Sequence, residues 1–267
     1  ILLVEDGSTL PCRSVANDYS EKLDVHYYYK ENEGRSIARN YGMEKASGEY
    51  FIFFDSDCVI PESYFEIVRK ELERNYADCF GGPDKAHESF SDIQKAINYS
   101  MTSFLTTGGI RGGKMQLEKF TPRTFNMGFS RKVFESVGGF REMFSEDIDM
   151  STRIRQAGFS IRLIRPAYVY HKRRTSLKLF CRQIYIFGMS RISLYLLYPD
   201  TLKIVHLLPA AFVLGSLAMI IASFFWPYAI LPLLFYLLAI FGVSLFSNKN
   251  LKIAALSVIT SVIQLGG

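Results

Sequence analysis

The stretch FIFFDSDCVI (Phe51–Ile60) places two carboxylates directly behind an uninterrupted apolar run. The run does not alternate between apolar and polar residues, and it is rich in aromatic and β-branched side chains, which predicts a strand covered on both faces. Charged groups at the mouth of such a strand cost free energy of desolvation unless a partner compensates them. A turn that only needs polar residues would be satisfied by one acid. The pair Asp55 and Asp57 therefore indicates a cation-binding site.

Short apolar segments alternate with helical ones along the first two thirds of the chain. The predicted strands are 1–4, 25–29, 50–54 and 124–130, and the predicted helices are 36–46, 61–75, 91–107, 131–137 and 147–156. This alternation predicts an α/β sandwich with a mostly parallel sheet. Ligands of such sheets bind beyond the carboxyl ends of the strands, where Glu5-Asp6 and Asp55-Ser56-Asp57 both fall.

A further group of acids opens the predicted helix 147–156. Glu146, Asp147 and Asp149 lie where the helix macrodipole favours negative charge. Capping accounts for one or two acids, so a cluster of three indicates a functional role.

A glycine-rich segment, 108–113, separates the predicted helix 91–107 from the next strand. It lacks the Gly-Lys-Ser/Thr sequence of a P-loop, so we expect a flexible lid or an acceptor-side loop rather than a phosphate cradle.

The last quarter of the chain is almost free of charge and predicts transmembrane helices at about 204–226, 228–246 and 251–267, the last incomplete. A buried core helix pair is the alternative. Before them, a basic segment at 172–203 has seven Lys and Arg side chains against the single acid Asp200, which indicates a membrane surface rather than nucleic acid. The positive-inside rule places this segment and the linker 248–252 in the cytoplasm.

The sequence begins without Met inside an apolar run and stops within an apolar segment. We therefore expect a chain truncated at both ends.

Several motifs in a fixed order resemble those of family 2 glycosyltransferases, over roughly residues 1 to 191. The matching segments are Val4-Glu5-Asp6-Gly7-Ser8-Thr9, Gly34-Arg35-Ser36-Ile37-Ala38-Arg39-Asn40-Tyr41-Gly42, Asp55-Ser56-Asp57, Gly138-Gly139-Phe140, Glu146-Asp147-Ile148-Asp149 with Arg153, and Tyr168-Val169-Tyr170-His171. The resemblance implies a GT-A fold, a Rossmann-like sandwich that binds nucleotide-diphospho-sugars, here followed by transmembrane helices. It also implies inversion at the anomeric carbon. The expected organisation is a catalytic domain at 1–171 without the family's first strand and helix, a basic interfacial helical segment at 172–203, and membrane helices at 204–267.

The resemblance assigns the donor side of the site. Asp57, with Asp55 directly or through ribose and water, is expected to hold Mg²⁺ or Mn²⁺, which takes carboxylate and phosphate oxygens. His171 is either a further ligand or a contact to the diphosphate, or else a simple strand-end histidine. Glu5 and Asp6 would bind the base or ribose, with Glu5 standing where the family most often has Asp. Arg39, or Arg35 in its place, would contact the nucleotide unless it is a surface helix arginine.

On the acceptor side, direct displacement needs a base for the acceptor hydroxyl. Asp147 is the candidate, with Glu146 as its orienting partner.

The expected function is metal-dependent sugar transfer from a nucleotide-sugar to a lipid-linked or polysaccharide acceptor at the cytoplasmic face of the membrane, in cell-envelope polysaccharide biosynthesis. The Q-x-x-R-W motif of processive synthases is absent, because Ile186 and Phe187 follow Gln183 at its spacing. This favours addition of a single sugar over processive synthesis. A sugar nucleotidyltransferase, an alternative with the same fold class, would have a glycine-rich signature near its start and no membrane tail. An inactive membrane adaptor, the other alternative, would need none of the acidic clusters.

Overall fold

Strands and helices alternate along the first part of the chain in the computed structural model, which describes residues 1–108, 120–202 and 204–266. The strands are β1 (Leu2–Asp6), β2 (His26–Lys30), β3 (Tyr50–Phe53), β4 (Cys58–Val59), β5 (Cys79–Gly81), β6 (Asp84–Lys85), β7 (Met127–Ser130), β8 (Ile161–Leu163) and β9 (Val169–His171). The helices are α1 (Arg13–Tyr19), α2 (Arg35–Lys45), α3 (Tyr64–Arg74), α4 (Asp92–Thr102), α5 (Phe104–Thr107), α6 (Arg131–Val137), α7 (Glu146–Gln156), α8 (Leu177–Leu197), α9 (Leu208–Ser223), α10 (Leu231–Asn248) and α11 (Leu251–Gly266).

The strands form mixed sheets. In the described residues, β1 pairs with β2, the order β3-β7-β5-β8 forms a second sheet, and β4-β9-β6 forms a third. Strand β7 runs antiparallel to both β3 and β5, and β9 runs antiparallel to β4. The α/β class is confirmed, but the expectation of a mostly parallel sheet is wrong. Strand direction depends on the path of the connections, and local patterns do not encode that path.

Strand β3 lies between two apolar clusters, as its continuous apolar sequence predicts. Phe51 and Phe53 pack with the cluster that contains Met127 and Phe129, whereas Tyr50 and Ile52 pack with the opposite cluster. Successive side chains of a strand point to opposite faces, so both faces of β3 are covered.

Two predicted helices differ from the observed ones for local reasons. The helix predicted at 61–75 begins only at Tyr64, because the Tyr64 amide donates to the carbonyl of Pro61 in a turn that precedes it. The helix predicted at 91–107 is broken at Ser103, which has an extended backbone and whose hydroxyl accepts from the Leu105 amide at 3.3 Å. A serine that caps a new helix start interrupts the preceding one.

The C-terminal helices pack against the sheet-bearing part of the chain through a third cluster. Ile97 and Met101 of α4 contact Phe180 and Ile184 of α8, and Ile263 of α11 packs beside them. Helix α8 lies within the segment 172–203 that the sequence predicts to be helical, and its place at a membrane interface stays a prediction.

Pro227–Asn248 is a helical segment of 22 residues with a mean hydropathy of 2.4. By length and composition this segment could cross a membrane. Helices α9 and α11 each have 16 residues, short of the roughly 20 that span a bilayer. Membrane crossing by these two helices therefore stays a prediction.

Asn40 joins α2 to the loop before α7. Its Nδ2 donates to the Phe140 carbonyl at 2.8 Å, and its Oδ1 accepts from the Phe140 amide at 2.7 Å. A Cβ on Gly139 would lie 2.4 Å from the same Oδ1, so the loop approaches Asn40 as closely as only glycine allows.

We predict that Asn40→Ala lowers the free energy of unfolding by about 2 kcal/mol, since two hydrogen bonds worth roughly 1 kcal/mol each are lost. Urea denaturation measures this change. Glu44→Ala, at an exposed position of the same helix, is the control. Equal unfolding midpoints for the two variants would contradict the prediction.

Candidate active site

Asp6 fixes the start of α2. Its carboxylate accepts from the amides of Glu33 at 3.0 Å and Gly34 at 2.8 Å and pairs with Lys30 at 2.8 Å. Burial alone would raise the pKa of Asp6, but these hydrogen bonds outweigh it and hold the pKa below its usual value. Gly7 follows with φ +63°, and any Cβ there would lie 2.6 Å from the Asn32 nitrogen, so the turn requires glycine.

Glu5 is buried beside Asp6, and its hydrogen bonds are to residues of the domain interior. One of its oxygens accepts from the Tyr27 hydroxyl at 2.6 Å and from the Cys12 amide at 2.8 Å. Neither Glu5 nor Asp6 is among the residues that line the large cavity described below. Their predicted contact with a base or ribose stays a prediction.

Arg39 brings three predicted residues together. Its guanidinium pairs with Asp55 at 2.7 Å and with Glu146 at 2.8 Å, and Arg35 pairs with the other oxygen of Glu146 at 2.7 Å. The Glu146 side chain is only 4% exposed. Helix α2, the end of β3 and the start of α7 are therefore joined by a charge network in which Arg39 and Glu146 are largely buried and Arg35 and Asp55 are partly exposed. Arg39 is not a free surface arginine, and the Glu146 carboxylate binds arginines.

Asp147 stands in the first turn of α7 beside an arginine that the sequence did not single out. Arg123 Nη1 lies 3.4 Å from both carboxylate oxygens of Asp147, and the Ile148 amide donates to Oδ1 at 2.8 Å. Arg123 precedes β7 in an irregular segment, so no periodic pattern marks it. The helix begins after Ser145, which has the left-handed value φ +65°, uncommon for a non-glycine residue and typical of functional turns.

His171 and Asp57 meet where β4 pairs with β9. His171 Nε2 lies 3.3 Å from Asp57 Oδ1, and Phe125 stacks on the imidazole with ring centroids 4.5 Å apart. Burial disfavours the charged imidazole, but hydrogen bonds to Asp57 and Asp84 outweigh it and raise the pKa of His171 above its usual value. Burial likewise acts to raise the pKa of Asp57, and the hydrogen bond from His171 overcomes it and lowers that pKa.

Arg173 supports this histidine from behind. It is 5% exposed, pairs with the buried Asp84, and donates to Asn98 Oδ1 at 3.2 Å. The sequence placed Arg173 in a basic segment at a membrane surface, and that placement is wrong. In the sequence, Arg173 is the middle one of three consecutive basic residues, so nothing in the local pattern indicates that it pairs with a buried acid, Asp84 of β6.

The donor atoms at this edge fit a divalent cation. Ligand atoms of Asp57, Cys58 and His171 lie within 4.8 Å of one another. Burial raises the pKa of the Cys58 thiol to about 12, and its sulfur lies 3.6 Å from the Phe125 carbonyl, so Cys58 is a poor ligand. Carboxylate and imidazole donors remain, with Asp55 close to Arg39; oxygen and nitrogen ligands suit Mg²⁺ and Mn²⁺.

These groups face one cavity of about 1710 Å³. Its lining includes Asp55, Asp57 and His171, together with Glu146 and Asp147 from the start of α7. The predicted cation-binding residues and the predicted base therefore line the same cavity. The glycine-rich segment 108–113, apart from Gly108, lies outside the described residues.

The model of the family "Glycosyl transferase family 2" matches residues 1–138, just over half of the chain. Glycosyltransferase GlyA of Streptococcus pneumoniae is 39% identical over 84 residues, which are 31% of this chain and 12% of that protein. Minor teichoic acid biosynthesis protein GgaB of Bacillus subtilis is 37% identical over 70 residues, 26% of this chain and 8% of that protein. The chain thus spans a small fraction of the length of these relatives.

Among solved structures, the mannosyltransferase PcManGT from Pyrobaculum calidifontis, in complex with GDP-Man and Mn²⁺, has a similar fold. The TM-score is 0.63 at 14% identity, over 98% of this chain and 76% of that chain. At this identity the likeness shows the fold alone, which is GT-A.

The pair of Asp57 and His171 predicts a pH-dependent stability. The raised pKa of His171 gives a contribution that is complete below about pH 6.5 and is lost as pH rises through the folded pKa. The lowered pKa of Asp57 gives a contribution that is present above about pH 4 and is lost as pH falls through its folded pKa. The pair therefore stabilises most between about pH 4 and pH 6.5.

We expect His171→Gln to lower the melting temperature most within that window and progressively less above it, when thermal unfolding is followed with a chelator present. His26→Gln is the control, because His26 pairs with Asp24 at an exposed position. A deficit for His171→Gln that stays constant from pH 5 to pH 9 would show that the charge pair does not contribute.

Proposed function

The chain belongs to glycosyl transferase family 2, and we propose that it transfers a sugar from a nucleotide-diphospho-sugar to an acceptor with inversion at the anomeric carbon. The observation that carries the proposal is that Asp57, His171 and Asp147 line the same cavity. Inverting transfer needs the leaving diphosphate and the attacking hydroxyl on opposite sides of one carbon. A cavity with a cation edge and a separate carboxylate suits that requirement.

On the donor side, Asp57 and His171 would hold Mg²⁺ or Mn²⁺, with Asp55 nearby. The bound cation would neutralise the charge that develops on the departing diphosphate. Asp84 and Arg173 hold His171 in place behind the ligand atoms, and such outer partners orient metal-binding histidines. The similar mannosyltransferase structure contains GDP-Man and Mn²⁺, which supports this choice of donor and ion.

Arg39 would contact the donor from α2. Two carboxylates, Asp55 and Glu146, hold its guanidinium, and Arg35, the alternative to it in this role, lines the cavity. Glu146 thus acts as a positioning residue for Arg39 and Arg35. Asp6 contributes by fixing the amide groups that open α2, and it would bind the base or ribose together with Glu5.

On the acceptor side, Asp147 would remove the proton of the attacking hydroxyl. The hydroxyl oxygen forms a bond to the anomeric carbon as the bond from that carbon to the diphosphate oxygen breaks, and the electron pair leaves with the nucleoside diphosphate. Arg123 orients the Asp147 carboxylate, since it approaches both of its oxygens.

The setting we propose is the cytoplasmic face of a membrane, in the synthesis of cell-envelope polysaccharide. Support comes from the apolar helical segment Pro227–Asn248 and from a relative named for minor teichoic acid biosynthesis. The absence of Arg and Trp at the spacing after Gln183 supports addition of one sugar per binding event.

Asp147→Asn is predicted to lower sugar transfer by about 10² to 10⁴-fold, the usual contribution of a general base, while nucleotide-sugar binding is retained. Transfer is measured with labelled nucleotide-sugars, in the presence of Mn²⁺ and with a membrane extract as acceptor, and binding is measured by isothermal titration. Glu142→Gln, an exposed acid in the loop before α7, is the control.

Wild-type turnover by the Asp147→Asn variant would remove Asp147 from the role of base. Failure of the wild-type protein to bind or turn over any nucleotide-sugar with metal would contradict the proposed function itself and favour the inactive adaptor.

A further inference from the structure

The cavity is larger than a nucleotide-sugar alone requires. Its volume of about 1710 Å³ compares with roughly 300–1,000 Å³ for typical small-molecule sites. The acidic residues of the candidate site line one part of it. The remainder extends along the helices that follow the sheet-bearing domain, so the space runs from the site of chemistry to the apolar part of the chain.

The wall of that second part is mostly aliphatic and aromatic. It includes Phe104 and Leu105 of α5, Phe187 of α8, Leu208 and Phe212 of α9, and Leu265 of α11. Polar side chains are a minority there: the lining also includes His206 and Gln264, and the Tyr236 hydroxyl donates to the Leu105 carbonyl at 2.6 Å. An extended sugar chain needs many hydrogen-bonding partners, whereas a hydrocarbon chain gains free energy from such a wall. This surface, which we call the apolar wall, favours a hydrocarbon.

The lining of the same cavity also includes a set of cations that we call the basic rim. Lys172, Arg174 and Arg182 line the cavity, are exposed, and have no side-chain ion pair or hydrogen bond in the described part of the chain. Arg173 differs from them, because Asp84 neutralises it in the interior. Exposed cations that line a cavity are complementary to an anionic ligand, and arginine suits phosphate in particular. Of the three, Arg174 also acts electrostatically on Asp57, whose pKa it helps to lower.

The basic rim and the apolar wall meet on one element. Arg182 and Phe187 both belong to α8 and both line the cavity. An occupant that satisfies both therefore carries an anionic group next to a long apolar chain. A free polysaccharide lacks the chain, and inorganic phosphate lacks the apolar part.

We infer that the acceptor is a lipid-linked saccharide, a sugar joined through phosphate to a long hydrocarbon chain. Its sugar hydroxyl reacts at Asp147, its phosphate lies at the basic rim, and its chain lies along the apolar wall. This inference rests on the proposed function and names the acceptor of the same site. The hydroxyl proton passes to Asp147, the hydroxyl oxygen bonds to the anomeric carbon, and the nucleoside diphosphate departs with the electron pair of the broken bond.

The test measures binding to the full chain in detergent micelles by microscale thermophoresis. The probes are decaprenyl phosphate, decaprenol, inorganic phosphate and phosphatidylglycerol. Decaprenyl phosphate is expected to bind saturably and at least about tenfold more tightly than decaprenol or phosphatidylglycerol, since one charged hydrogen bond contributes about that factor. No saturable binding is expected for inorganic phosphate. Equal affinity for decaprenol, or for phosphatidylglycerol, would overturn the inference in favour of a nonspecific lipid surface.

Matched variants locate the binding site. Arg182→Gln is expected to weaken decaprenyl phosphate binding about tenfold, and Lys178→Gln, on the same helix but outside the cavity lining, is expected to leave it unchanged. Leu208→Asn is expected to weaken binding, while Leu217→Asn, exposed on the same helix and outside the lining, is not. Equal effects within either pair would overturn the assignment.

Metal-dependent nucleotide-sugar binding is measured on the same preparations. Donor binding without specific binding of decaprenyl phosphate would overturn the inference and leave the proposed function standing. If the wild-type protein bound no nucleotide-sugar in the presence of metal, the proposed function would be overturned.

Discussion

The two ion pairs of Arg39 hold the candidate site together. This one side chain joins helix α2 to Asp55 behind strand β3 and to Glu146 at the start of α7, two acids that lie 91 residues apart in the sequence. The Glu146 side chain is 4% exposed and that of Arg39 is 14% exposed, so neither charge can turn to water if its partner is removed. Breaking a buried pair of this kind costs about 3–5 kcal/mol. The positions of Asp57, Asp147 and the cavity between them all depend on this junction.

Much of this arrangement is predictable from the sequence. Strand β3, helix α8 and the acids at the start of α7 follow from apolar patterns and charge spacing, and the order of the motifs identifies the family and the GT-A fold. The direction of β7 does not follow, because it is set by a connection that runs through α4 and α5. The break at Ser103 depends on whether the serine hydroxyl caps a new helix. The local sequence is compatible with one continuous helix and also with two helices separated at Ser103.

The parts of the site that escaped prediction are those that depend on distant partners. Arg123 lies in an irregular segment and reaches Asp147 only in the folded chain. Arg173 appears in sequence as one of a run of surface cations, yet it is buried against Asp84, 89 residues away. The metal-binding role that we propose for Asp57 rests on its contact with His171, which requires β4 and β9 to pair. Asp55, the other acid of the Asp55-Ser56-Asp57 motif, forms an ion pair with Arg39 instead.

The location of the cation tests the central claim most directly. Crystals of the full chain grown with Mn²⁺ and a nucleoside diphosphate would show the ion in an anomalous difference map recorded near the manganese absorption edge. The account predicts a peak in bonding contact with the Asp57 carboxylate, beside His171 and facing Asp147 across the cavity. A peak at other carboxylates, with the Asp57–His171 edge empty, would contradict it.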